Sequence, residues 1–191
     1  MNRNRWKVTA LILAVVFVLA SCGARKTPKD AALLFMKSMR SGNYDEAVTC
    51  VVESIDANKM AEEYNSMGGA FLDKMRDLEY EVTETSDGDT TATVTMKVSY
   101  YNLAGVYTEV MQKLLSDVKS DEKIRTMDDD ALATEAMTRL NAAAKETSLT
   151  KMEKTLQLTA KKGESGWQIV LDNPELREVI TAGLNGVGGI L

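Results

Sequence analysis

Histidine is absent from all 191 residues. Its absence removes Ser-His and Cys-His nucleophile pairs, the side chain that most readily carries a proton near neutral pH, and the commonest zinc ligand. Cysteine occurs twice, at Cys22 and Cys50, so no framework of several disulfides can be drawn. No apolar run is long enough for a membrane-spanning helix, which needs about 20 residues. The longest is Val8 to Leu19, in which only Thr9 is polar. Proline occurs twice, and aromatic residues make up 6% of the chain.

Other signals of chemistry are incomplete. Ser116-Asp117-Val118-Lys119, Ser120-Asp121-Glu122-Lys123 and Ser148-Leu149-Thr150-Lys151 all match S-x-x-K, but the S-D-N and K-T-G companions of serine acyl-enzymes are missing. Asp128-Asp129-Asp130 lacks the alternating spacing and distal glutamate of a calcium loop. Acids at a helix N-terminus favoured by the dipole account for it better. Gly68-Gly69 and the Gly183–Gly189 stretch have neither the Lys-Ser/Thr nor the strand-to-helix context of a phosphate loop. The sequence therefore predicts no cofactor and no metal site, and no hydrolysis through a covalent Ser or Cys intermediate.

The N-terminus carries the sharpest signal. Arg3, Arg5 and Lys7 precede the apolar run, the charge-then-apolar order of a secretory signal. Leu19-Ala20-Ser21-Cys22 then resembles the lipobox of bacterial lipoproteins at all four positions. The resemblance implies a signal peptide over 1–21 and a Cys22 that becomes the first residue of a membrane-anchored lipoprotein of the cell envelope. Cys22 would bear a diacylglyceryl group and acyl chains such as palmitate. A short tether over 22–26 and one domain over 27–191 follow, with 184–191 as a flexible tail. Cys50 then has no internal partner, and is read as a small buried hydrophobe ahead of a reactive or intermolecular thiol.

Residues 1–21 hold three basic and no acidic residues, so 23 Lys+Arg against 28 Asp+Glu becomes 20 against 28 from Cys22 onward. A net charge near −8 disfavours nucleic acid, and it disfavours electrostatic docking to anionic lipid.

Pattern and punctuation predict the elements. Thr27-Pro28-Lys29-Asp30 opens a helix that Gly42 ends, and Asn43 starts a short one over Tyr44 to Val52. Asp56 caps a third helix with Met60, Tyr64, Met67, Phe71 and Met75 on one side, interrupted by Gly68-Gly69. From Leu78 the period becomes two, Asp87-Gly88 signals a turn, and Ala92, Val94, Met96, Val98 and Tyr100 alternate with polar residues on the returning strand. Two amphipathic helices, Val106 to Val118 and Asp129 to Lys145, precede a second hairpin made of Leu149 to Lys162 and of Trp167, Ile169 and Leu171. Asn173-Pro174 starts a last helix to about Leu184. The fold class is therefore α+β: N-terminal helices and a curved four-stranded antiparallel sheet of two hairpins, with a helical insertion between them.

Met39-Arg40-Ser41-Gly42-Asn43-Tyr44-Asp45-Glu46-Ala47 behind a lipobox resembles exported lipoproteins of unknown function with a nuclear-transport-factor-2-like, cystatin-like domain. That resemblance implies a cone-shaped sheet around helices, with Tyr64, Tyr80, Tyr100 and Trp167 aimed at its hollow. Either they are plain core or they line an apolar pocket for a small molecule or peptide. The favoured expectation is a non-catalytic, membrane-tethered binding or accessory domain. The alternatives are a module docking onto an envelope protein through its helical insertion, or an enzyme using Asp and Glu alone.

Overall fold

A computed structural model describes residues 25–184 except Asp87 and Thr147. The signal-peptide segment, Cys22, and positions 185–191 of the expected tail lie outside the described residues, as does the Asp87 half of the Asp87-Gly88 turn.

The four expected antiparallel strands are present. Strands β1 (Glu79–Ser86), β2 (Thr91–Tyr100), β3 (Met152–Gly163) and β4 (Gly166–Ile169) lie side by side as β1-β2-β3-β4, every pair antiparallel. A bulge at Thr83 interrupts the β1–β2 register. On one face Val94, Met96, Val98, Leu156, Leu158 and Ile169 are almost wholly buried. The other face shows threonine, lysine and glutamate to water, as period-two alternation requires of a sheet covered on one side.

Helices provide the cover. Helix α1 (Pro28–Ser41) touches all four strands, placing Ala31, Ala32, Phe35 and Met36 at 0% exposure. Its start is a full capping box, Thr27 Oγ1 accepting from Asp30 N–H and the Asp30 carboxylate from Thr27 N–H, and its end is Gly42 in the left-handed region at φ 70°. Helix α2 (Tyr44–Thr49) is shorter than its sequence suggests. Val51 leaves it to bridge Ile169 in parallel, so the chain there pairs with the edge of β4. The expected third helix is two, α3 (Ala57–Met67) and α4 (Gly69–Arg76), because Gly68 and Gly69 both take positive φ.

The insertion between the hairpins comprises α5 (Ala104–Ser120), a single turn α6 (Glu122–Arg125) and α7 (Asp129–Glu146). Helix α7 packs on both α4 and α5. The last helix, α8 (Pro174–Ile180), stops four residues earlier than predicted. Ala182 and Gly183 turn with positive φ, Ala182 O accepts from Leu103 N–H at 2.8 Å, and Leu184 is fully buried. Leu184, expected to start a flexible tail, is therefore core.

Candidate functional site

The four aromatic residues expected in one hollow are not gathered there. Tyr100 pairs with Met152 at one end of β3, and Trp167 pairs with Lys162 at the other. Ten residues of strand at about 3.3 Å each put some 33 Å between those rungs. Tyr64 is buried between helices, its ring 5.1 Å from that of Tyr44, and its hydroxyl donates to Ile180 O at 2.9 Å. Burial, ahead of any neighbouring charge, pushes its phenol far above the ordinary value. Trp167 is buried at the start of β4. Tyr80, half-buried, alone among the four lines one of the best-formed hollows, a shallow recess of about 560 Å³ with Lys97 and Lys154. A one-layer sheet with helices along its length fills its inner face with side chains, which leaves three of the four as core.

Tyr100 belongs to a polar cluster instead. Its hydroxyl donates to Glu178 Oε1 at 2.6 Å, and Lys154 Nζ donates to Glu178 Oε2 at 2.6 Å. Those two hydrogen bonds hold the Glu178 carboxyl below its usual range against partial burial. Burial first, then the bond to Glu178 and its charge, raise the Tyr100 phenol. The cluster ties α8 to the sheet.

A cleft of about 420 Å³ forms where the loop after α2 meets the start of α8. Two helix caps shape it. Asp56 accepts from Asn58 and Lys59 N–H to begin α3, and Asn173 accepts from Glu175 and Leu176 N–H to begin α8. Glu53 joins the walls by accepting the N–H groups of Leu171 and Asp172 through its carboxylate. The floor is Ile55, Met60, Leu171 and Ile180, and the rim carries Lys59, Glu63, Asp172 and Arg177. Lys59 lies 4.0 Å from Glu63, and Arg177 3.4 Å from Asp172. An apolar floor under paired charges of both signs suits a small amphiphile or a peptide end, and the volume falls in the range of small-molecule sites.

No protein-family model matches the chain, and no curated protein matches it. One solved structure does. It is that of YcdA from Bacillus subtilis, described provisionally as a lipoprotein, with 14% identity and a TM-score of 0.41. The match covers 75% of this chain and 44% of that protein, so the chain spans less than half its length. A likeness this distant bears on neither fold nor function.

Sequence reasoning missed the cleft because Glu53 and Leu171 are 118 positions apart. The caps Asp56 and Asn173 were legible, but nothing local shows that both helices start against the same space. Arg25, read as tether, is also part of the fold. Its carbonyl accepts from Trp167 N–H at 3.2 Å, and its guanidinium donates to the carbonyls of Thr49 and Ser165. Gly166 makes this approach feasible, since a Cβ there would meet Arg25 O at 2.8 Å.

The helical insertion offers less to a partner. Arg139 joins α7 to α5 through Asp117 while also holding Glu135. Among the described residues from Val106 to Ala144, Leu115 is the large apolar side chain left exposed, at 60%. One exposed leucine is ordinary on a surface.

Proposed function

We propose that this protein is an extracytoplasmic lipoprotein, anchored through Cys22, whose cystatin-like α+β domain is a non-catalytic accessory module that binds a small amphiphile or peptide. The observation that carries the reading is the N-terminal order of Arg3, Arg5 and Lys7, the apolar run, and Leu19-Ala20-Ser21-Cys22. Two acyl chains hold a protein at a membrane where one does not, each buried methylene contributing about 0.8 kcal/mol. Among the described residues no helix is long and apolar enough to cross a membrane. The cleft beside Met60 and Ile180 supports binding as the module's task, and the lack of histidine removes histidine-dependent acid–base catalysis.

Metabolic labelling with a clickable fatty acid tests the anchor. The wild-type chain takes up label and is processed, whereas Cys22→Ala takes up none and keeps residues 1–21. Label retained by Cys22→Ala overturns the reading.

A further inference from the structure

The charged groups of the cleft beside Met60 are in two different conditions. Its carboxylates are Glu53, Asp56, Glu63 and Asp172, and its cations are Lys59 and Arg177. Glu53 and Asp56 accept backbone N–H groups at 2.8 to 3.3 Å, which fixes their positions and leaves their charge in place. With four carboxylates to two cations, the cleft disfavours a purely anionic ligand and favours one that brings a cation of its own.

Glu63 and Arg177 are less committed. The Glu63 side chain is only 26% exposed, yet among the described residues its carboxylate accepts no hydrogen bond, and the Lys59 ammonium stands 4.0 Å away, beyond hydrogen-bond length. A carboxylate taken largely out of water and left without donors is costly, and an ammonium beside it would relieve that cost. On the wall formed by α8, the Arg177 guanidinium reaches Asp172 Oδ1 at 3.4 Å and no other acceptor among the described residues, so most of its five N–H donors are open. Met60, Leu171 and Ile180 supply the apolar floor.

We propose that the cleft takes a short apolar peptide with both termini free, its ammonium on Glu63 of α3, its carboxylate on Arg177 of α8 and its side chains on the floor. The inference rests on reading this cleft as the module's binding site, and it narrows the occupant from amphiphiles in general to a zwitterion with an apolar body. A fatty acid lacks the cation that offsets the excess of acid, and an alkylamine leaves the planar fork of Arg177 unused. The volume of about 420 Å³ lies toward the lower end of small-molecule sites, about 300–1,000 Å³, which suits a small peptide and not a folded partner.

The test is calorimetric titration of the full chain in nonionic detergent micelles, with protein-free micelles as the blank. The probes are leucyl-leucine, its N-acetyl form, its C-terminal amide, free leucine, decanoate and decylamine. Leucyl-leucine should bind, and each blocked form should bind about tenfold more weakly or not at all, because each loses one charge-assisted contact. Glu63→Gln should weaken the free dipeptide about as much as acetylation does and leave the acetylated form unaffected, and Arg177→Gln should do the same for the amide. If either variant fails to fold, the blocked dipeptides on the wild-type chain decide the matter by themselves. Free and blocked dipeptides that bind alike overturn the zwitterion and leave the cleft a site for apolar bodies. Leucine binding as tightly as leucyl-leucine overturns the peptide, and so does binding of decanoate or decylamine without leucyl-leucine, which leaves the amphiphile reading standing. If no probe binds, that reading and this inference fall together.

Discussion

Tyr100 on β2 and Glu178 on α8 are joined by a hydrogen bond of 2.6 Å that spans 78 positions of sequence. With Lys154 on the second carboxylate oxygen, the bond ties the last helix to one end of the two central strands. Because the folded state holds Glu178 below its ordinary value of 4.5, the associated stability is present above that value and lost as pH falls through the lower, folded one. Tyr100 works in the opposite sense. Its raised pKa contributes stability that is complete below the ordinary value of 10.0 and is lost as pH rises through the folded one. Urea unfolding across the acid range should therefore show a steeper loss for wild type than for Glu178→Gln. Tyr100→Phe should cost about 1–2 kcal/mol at neutral pH. Parallel acid profiles for wild type and Glu178→Gln would show that the ion pair adds no stability.

Cys50 is fully buried, and its Sγ donates to Glu46 O at 3.3 Å. Burial raises its thiol pKa, outweighing the Thr49 hydrogen bond and the Arg25 charge, so little thiolate forms near neutral pH. Iodoacetamide should modify the native protein slowly and the urea-unfolded protein fast. Rapid native labelling, or a disulfide-linked dimer without reductant, would mark Cys50 as a reactive thiol instead.

The cleft beside Met60 makes its own prediction. In a thermal-shift screen of envelope metabolites and short peptides, a ligand at a hundred times its dissociation constant should stabilise the fold by about 2.7 kcal/mol. Arg177→Ala and Lys59→Ala remove rim charges without touching the buried floor, and both should weaken the response while leaving the unliganded melting temperature nearly unchanged. A hit whose shift is indifferent to both substitutions binds elsewhere, and a screen with no hits removes the cleft from the proposal.

Local pattern was enough for much of the architecture. The alternation from Ala92 to Tyr100 identifies β2 and its inner face, Thr27-Pro28 and Asn173-Pro174 start helices where the structure starts them, and the Gly68-Gly69 pair divides α3 from α4. Such signals are readable because strand periodicity, caps and backbone dihedrals depend on neighbours within a few residues. The N-terminal order from Arg3 to Cys22 is of the same kind, and so is the chemistry that the lack of histidine excludes.

Tertiary structure alone decided where these elements meet. The strand order sets Tyr100 and Trp167 at opposite ends of β3, which no alternation pattern can express, since period two gives the face of a residue and not its rung. Helix α2 is cut short by Val51 pairing with Ile169, a contact across more than a hundred residues. Arg25 is drawn out of the tether by carbonyls at Thr49 and Ser165, which only the folded chain brings beside it. Charge and polarity belong to residues and are written in the sequence. Their grouping depends on how the chain closes its long loops, and that follows from packing the whole core at once.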